Sequence, residues 1–219
     1  MKKEKLFTSL FFVVSIGYVL GIVLDNPTLK FLFKPLIIVS LMAVYTSVVK
    51  KRNKLYVAAL FFSLIGDTFL LYPSEKTFMF GLISFLLTHV FIILILFKEF
   101  RLTHPRQKLL ALVPFFILFY ALIDFLKDDL NQLLIPVIIY ALIITFFGIM
   151  ALSNYLENRS KDNLLIMVGA LLFICSDSIL AINKFSIQHT FFPIFVIITY
   201  IGAQFLICRY MIENKVVKG

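Results

Sequence analysis

Eight runs of mostly apolar residues, each long enough to cross a bilayer, are packed into a chain of 219 residues with only short polar connections between them. A hydrocarbon core of roughly 30 Å needs about 18–20 apolar residues in helical form. The runs are Leu6–Leu24, Phe31–Val49, Leu55–Tyr72, Phe78–Phe97, Leu109–Leu126, Leu133–Leu152, Leu164–Ile182 and Thr190–Ile212. With no water at membrane depth to satisfy backbone groups, such runs must be helices. The expectation is an all-α polytopic membrane protein, one integral membrane domain over residues 1–219 with eight transmembrane helices. Composition agrees: 61% of residues are hydrophobic and 15% charged, against about 45–50% and about 25% in soluble chains. The basic start (Lys2, Lys3, Lys5) precedes an apolar stretch too long for a signal peptide and lacking a small-residue cleavage site, so it reads as an uncleaved first span.

The formal charge is +9, which in a soluble chain would point to nucleic acid. Here the basic residues mark topology instead. Sixteen Lys and Arg fall at the N-terminus, in the connections after spans two, four and six, and at the C-terminal end; four (Lys30, Lys76, Lys127, Lys184) fall on the opposite side. By the positive-inside rule both termini are expected in the cytoplasm. Neither aromatic interleaving nor a nucleic-acid motif accompanies the clusters, so no nucleic-acid partner is expected. Tyr45, Tyr56, Tyr72, Tyr120, Tyr155 and Tyr210 lie near span ends and are expected to anchor at the interface. Cys175 and Cys208 sit in apolar runs and read as buried free thiols. Short loops and compact length favour a bacterial inner membrane.

The chain carries an internal echo. Ala59-Leu-Phe-Phe-Ser-Leu-Ile-Gly-Asp67-Thr-Phe-Leu70 in span three aligns without gaps, at an offset of 110, with Gly169-Ala-Leu-Leu-Phe-Ile-Cys-Ser-Asp177-Ser-Ile-Leu180 in span seven. Pro35-Leu-Ile-Ile and Pro136-Val-Ile-Ile repeat more weakly. Partners four spans apart cross in the same direction, so the expected arrangement is two parallel four-helix repeats.

Ionisable groups inside spans are costly and mark function by default. They are Lys34, Asp67, His89 and Asp177, with Asp124 too near a span end to count. Asp67 and Asp177 each lie five residues before their span's end, and Lys34 enters from the same side, so the three are expected to share one layer. Ser63 sits one turn before Asp67; Tyr200 and Gln204 are one turn apart; Gly81, Phe85 and His89 form an i, i+4, i+8 row. Converging, these faces would line a polar pocket. Bland readings stand beside this one: a structural ion pair for the carboxylates, a satisfied interhelical His89, and interhelical hydrogen bonding for Ser63, Tyr140, Tyr200 and Gln204. His89, His104 and His189 are too dispersed for a zinc site, and no metal is expected. There is no Gly-x-Ser-x-Gly. Two carboxylates and a nearby cation are the equipment for general acid/base cleavage of an acetal-like bond.

At these residues the sequence resembles the YhhN family of membrane proteins, which includes the eukaryotic transmembrane lysoplasmalogenases. The likeness rests on Ser63-Leu-Ile-Gly-Asp67, on Gly81 through Phe85 to His89, on Ser176-Asp177-Ser178 with Asn183, and on Tyr200 with Ala203-Gln204. Lys34-Pro35 and Pro136 with Tyr140 also fit. The resemblance implies an eight-helix enzyme that hydrolyses the vinyl ether of lysoplasmalogens to a fatty aldehyde and a glycerophospho-base. It would have Asp67 and Asp177 as catalytic carboxylates, a membrane lysophospholipid as substrate and no soluble cofactor. Lys34, Ser63, His89, Tyr140, Ser178, Asn183, Tyr200 and Gln204 would line the site. The alternatives from other classes are a proton-coupled carrier and a lipid-binding protein without turnover.

Overall fold

Local chemistry places the helix boundaries. In the computed structural model, which describes residues 2–98 and 105–217, the Asn26 side chain accepts from the Leu29 amide at the start of α2 (Pro27–Val48), with Pro27 at the first helical position, where its missing N–H is harmless. Asn53 caps α3 (Lys54–Phe69) and Ser160 caps α7 (Lys161–Phe185) in the same way. The other long helices are α1 (Lys2–Val23), α4 (Glu75–Phe97), α5 (Pro105–Leu126), α6 (Leu134–Glu157) and α8 (Phe192–Val217). One 3-10 turn, Asn131–Leu133, leads into α6, and the described residues contain no strand. The Lys98–Lys108 connection lies largely outside the described residues, as does His104.

Seven of these helices are long and apolar enough to span a bilayer: α1, α2, α4, α5, α6, α7 and α8. Large apolar side chains such as Leu6, Val13, Phe80, Ile117, Ile135 and Phe195 are exposed on their outer faces, a surface suited to lipid rather than water. The chain is therefore a multi-pass, all-helical membrane protein. α3 is shorter, at 16 residues, than the span drawn from hydropathy. Tyr72 precedes Pro73, which disfavours the helical region for Tyr72, and the Leu70 amide closes the helix onto the Gly66 carbonyl.

The helices group into two compact units, residues 1–91 with 208–219 and residues 92–207. In the first, Gly66 on α3 faces the Phe85 ring of α4, so close that a Cβ there would stand 2.7 Å from the ring. Ser63 and Thr88 hydrogen-bond at 3.2 Å, and Thr88 Oγ1 also donates to the Ala59 carbonyl at 3.1 Å, tying α3 to α4. Arg209 on α8 joins Glu4 on α1 to Glu213, at 2.9 Å each. In the second unit, Gly148 on α6 lies against Phe115 of α5 and Ile174 of α7. Asn163 donates to the Asn154 and Asn158 carbonyls, and Asn154 donates to the Leu96 carbonyl, so one amide network joins α4, α6 and α7. Ser176 Oγ donates to the Val196 carbonyl at 3.0 Å, linking α7 to α8.

Two expectations need correction. Tyr45, Tyr56 and Tyr210 are fully buried rather than interfacial: Tyr45 and Tyr56 pack edge to face at 4.8 Å, and the Tyr45 hydroxyl accepts from the Asn53 amide. Tyr72 and Tyr120 are exposed. Cys208 is buried but Cys175 is exposed, because in a helix apolar all round, position in a hydrophobic run does not say which face turns inward.

Candidate functional site

Each membrane carboxylate is served by the helix before it. In the first unit, Asp67 sits in the last turn of α3 and is 2% exposed. Its charge acts on Lys34 of α2 and on Tyr18 of α1. The Lys34 ammonium lies 5.8 Å from the centroid of the Tyr18 ring, within cation–π range. Ser63, one turn before Asp67, is held by Thr88, and next to Thr88 on α4 His89 is fully buried. Of the expected residues, Lys34, Ser63, Asp67 and His89 belong to the first unit, where Tyr18 packs against Lys34 and Thr88 against Ser63. Tyr18 is a third mid-span tyrosine beside Tyr140 and Tyr200, and that position is the signal that could have found it. Thr88 stands one turn after Ser84 on a helix whose polar residues are few.

In the second unit, Tyr140 of α6 donates a hydrogen bond to Oδ2 of Asp177 on α7. Gln204 Nε2 donates to the Tyr200 hydroxyl at 3.2 Å, and the Tyr200 ring packs edge to face on Phe173 at 5.5 Å. Ser176, beside Asp177, is spent on the Val196 carbonyl. Ser178, the next residue, is partly buried and points about 100° around the helix from Asp177. Asn183 accepts from the His189 amide and so holds the turn between α7 and α8; six residues on from Asp177, it is on another face of the helix.

The expected shared depth does not follow from the helix ends. α3 stops two residues after Asp67, whereas α7 continues eight residues beyond Asp177, to Phe185. The early stop comes from Pro73; α7 meets no proline and runs on until Ser186, whose amide still reaches the Ile182 carbonyl.

Chemically, the two carboxylates are in unlike settings. Asp67 lies within electrostatic reach of Lys34, while a phenolic donor holds Asp177. Carboxyl groups in unlike surroundings are how acid and base roles are divided.

The chain is 31% identical to lysoplasmalogenase TMEM86A of Bos taurus over 162 residues and 29% identical to lysoplasmalogenase TMEM86A of Homo sapiens over 160 residues. Each match takes in 71% of this chain and 64% of the relative, so the chain spans less than two thirds of the length of either. No solved structure matches. The YhhN family model matches residues 29–211, which include Lys34, Asp67, His89, Tyr140, Asp177, Tyr200 and Gln204. The chain is a member of the YhhN family.

Proposed function

We propose that this protein is a lysoplasmalogenase-like membrane hydrolase, cleaving the vinyl ether of a lysoplasmalogen with water to give a fatty aldehyde and a glycerophospho-base. The observation that carries the reading is the two membrane carboxylates, one within electrostatic reach of a lysine and the other hydrogen-bonded to a phenol. The similarity to lysoplasmalogenase TMEM86A supports it. In this reading the chain is one integral membrane domain of eight spans, α3 included, arranged as two parallel four-helix repeats with both termini cytoplasmic, in a bacterial inner membrane.

The chemistry needs a proton delivered to carbon. The acid protonates the alkene carbon remote from the ether oxygen, giving an oxocarbenium ion at the other. Water adds to that carbon and loses a proton to the base. The resulting hemiacetal then breaks its C–O bond, its hydroxyl proton passing to the ionised acid residue while the protonated base gives its proton to the departing oxygen, leaving aldehyde and alcohol and both carboxyls as they began. Asp67 takes the base role, as the carboxylate within electrostatic reach of Lys34. Asp177 takes the acid role, with Tyr140 holding its orientation. Lys34, Ser63 and His89 serve beside Asp67 in the first unit, and Tyr140, Tyr200 and Gln204 beside Asp177 in the second; no soluble cofactor enters the reaction.

The test is aldehyde release from lysoplasmalogen by purified, reconstituted protein. Asp67→Asn and Asp177→Asn should each lower the rate by at least about a hundredfold while circular dichroism and elution volume stay unchanged. Full activity in either variant, or substrate flux across proteoliposomes without aldehyde, would overturn the proposal.

A further inference from the structure

The family match begins at residue 29, so α1 lies before it. Yet α1 supplies an aromatic ring within reach of the Lys34 ammonium. Its sequence Gly17-Tyr-Val-Leu-Gly21 puts two glycines one turn apart, a spacing that lets membrane helices approach closely. Both are used against α2. A Cβ on Gly17 would meet the Phe33 ring at 2.9 Å, and one on Gly21 would meet Leu29 Cβ at 3.0 Å and the Lys30 backbone nitrogen at 3.1 Å. This seat brings the ring of Tyr18, itself buried, under the Lys34 side chain.

We infer that Tyr18 is a positioning residue: its ring face holds the Lys34 ammonium in place for Asp67, and α1 is thereby part of the functional machinery and not only a membrane anchor. A four-carbon side chain ending in a point charge has many rotamers. Inside a bundle, an aromatic face selects among them by charge–quadrupole attraction, which is stronger where water is excluded. The ring carries this action; the hydroxyl does not. The inference deepens the proposed hydrolase reading and rests on it only for its kinetic consequence.

That distinction sets the experiment. Tyr18→Phe keeps the face and Tyr18→Leu removes it at similar hydrophobicity. Thermal unfolding midpoints of the full-length protein in detergent are measured for Tyr18→Leu, Tyr18→Phe and Lys34→Met and for each double variant. Tyr18→Leu and Lys34→Met should be non-additive by about 2–4 °C. Tyr18→Phe should carry the same coupling to Lys34 as the native tyrosine. Additive shifts for the leucine variant would overturn the inference, and this arm needs no substrate. With lysoplasmalogen, Tyr18→Leu should lower kcat about fivefold to tenfold with little change in KM, and Tyr18→Phe should restore it. A wild-type protein that releases no aldehyde would refute the hydrolase reading while the coupling arm still decides the role of Tyr18. Equal loss of kcat in the Phe and Leu variants would overturn the assignment to the ring.

Discussion

Tyr140 on α6 donates its phenolic hydrogen to Asp177 on α7, a contact between residues 37 apart in sequence. Removing the donor leaves the carboxyl in place without the group that orients it. In the proposed reaction, Tyr140→Phe should lower the rate of aldehyde release about tenfold to a hundredfold, and the fold should survive because the ring still packs. Release-rate measurements beside thermal unfolding check this; an unchanged rate would separate Tyr140 from the chemistry.

Gly66 precedes Asp67 and faces the Phe85 ring of α4. Gly66→Ala would force that ring aside, since the added carbon would lie 2.7 Å from it. Overpacking of this kind costs about 1–3 kcal/mol. The unfolding midpoint should drop. Activity should also drop, and by more than in Phe80→Leu, a change at an exposed apolar position, because Asp67 shifts with the backbone. A variant as stable and active as the parent would show that the ring moves freely.

Thr88 joins α4 to α3 through Ser63 and the Ala59 carbonyl. Thr88→Val keeps the shape and removes the hydroxyl. Interhelical hydrogen bonds in membranes are worth about 0.6 kcal/mol on average and up to about 1.7, so a modest destabilisation is expected, with Thr88→Ser largely restoring the midpoint. Chemical or thermal unfolding of the two variants tests it.

Asp25 sits between α1 and α2 with φ 46°, a left-handed conformation that Asp tolerates better than branched residues. The hydrogen bond from the Lys30 ammonium, 2.6 Å away, and its charge hold the Asp25 carboxyl below the ordinary value of 3.8. A lowered folded value means that the pair stabilises the turn above the ordinary value and loses this as pH falls through the lower folded one. A carbon-13 titration of the Asp25 carboxyl should show a midpoint below 3.8, returning toward it in Lys30→Gln. The opposite sign operates after α5, where the Asp124 hydrogen bond and charge hold Lys127 above its ordinary 10.5. Asp124→Asn should bring that lysine down.

Much of the molecule is legible in the chain itself. The apolar runs are local properties, so each helix stands over its hydropathy run and most extend a few residues past it, whereas α3 stops short of Tyr72 as the chain approaches Pro73. Asp67, Asp177 and Lys34 stand out because charge at membrane depth is rare. Less accessible is the inward face of each helix. Lipid and protein core are equally apolar, so hydrophobicity cannot separate the exposed Cys175 from the buried Cys208, nor the exposed Tyr120 from the buried Tyr45.

The sequence by itself therefore determined a multi-pass helical membrane protein and the positions of its costly charges. Tertiary structure alone decided their company: Tyr140 against Asp177, and the Lys34 side chain over the ring of Tyr18. Those partners come from other helices, and which side chains meet is set by close packing at residues such as Gly17, Gly21 and Gly66, where the missing side chain lets a neighbour in.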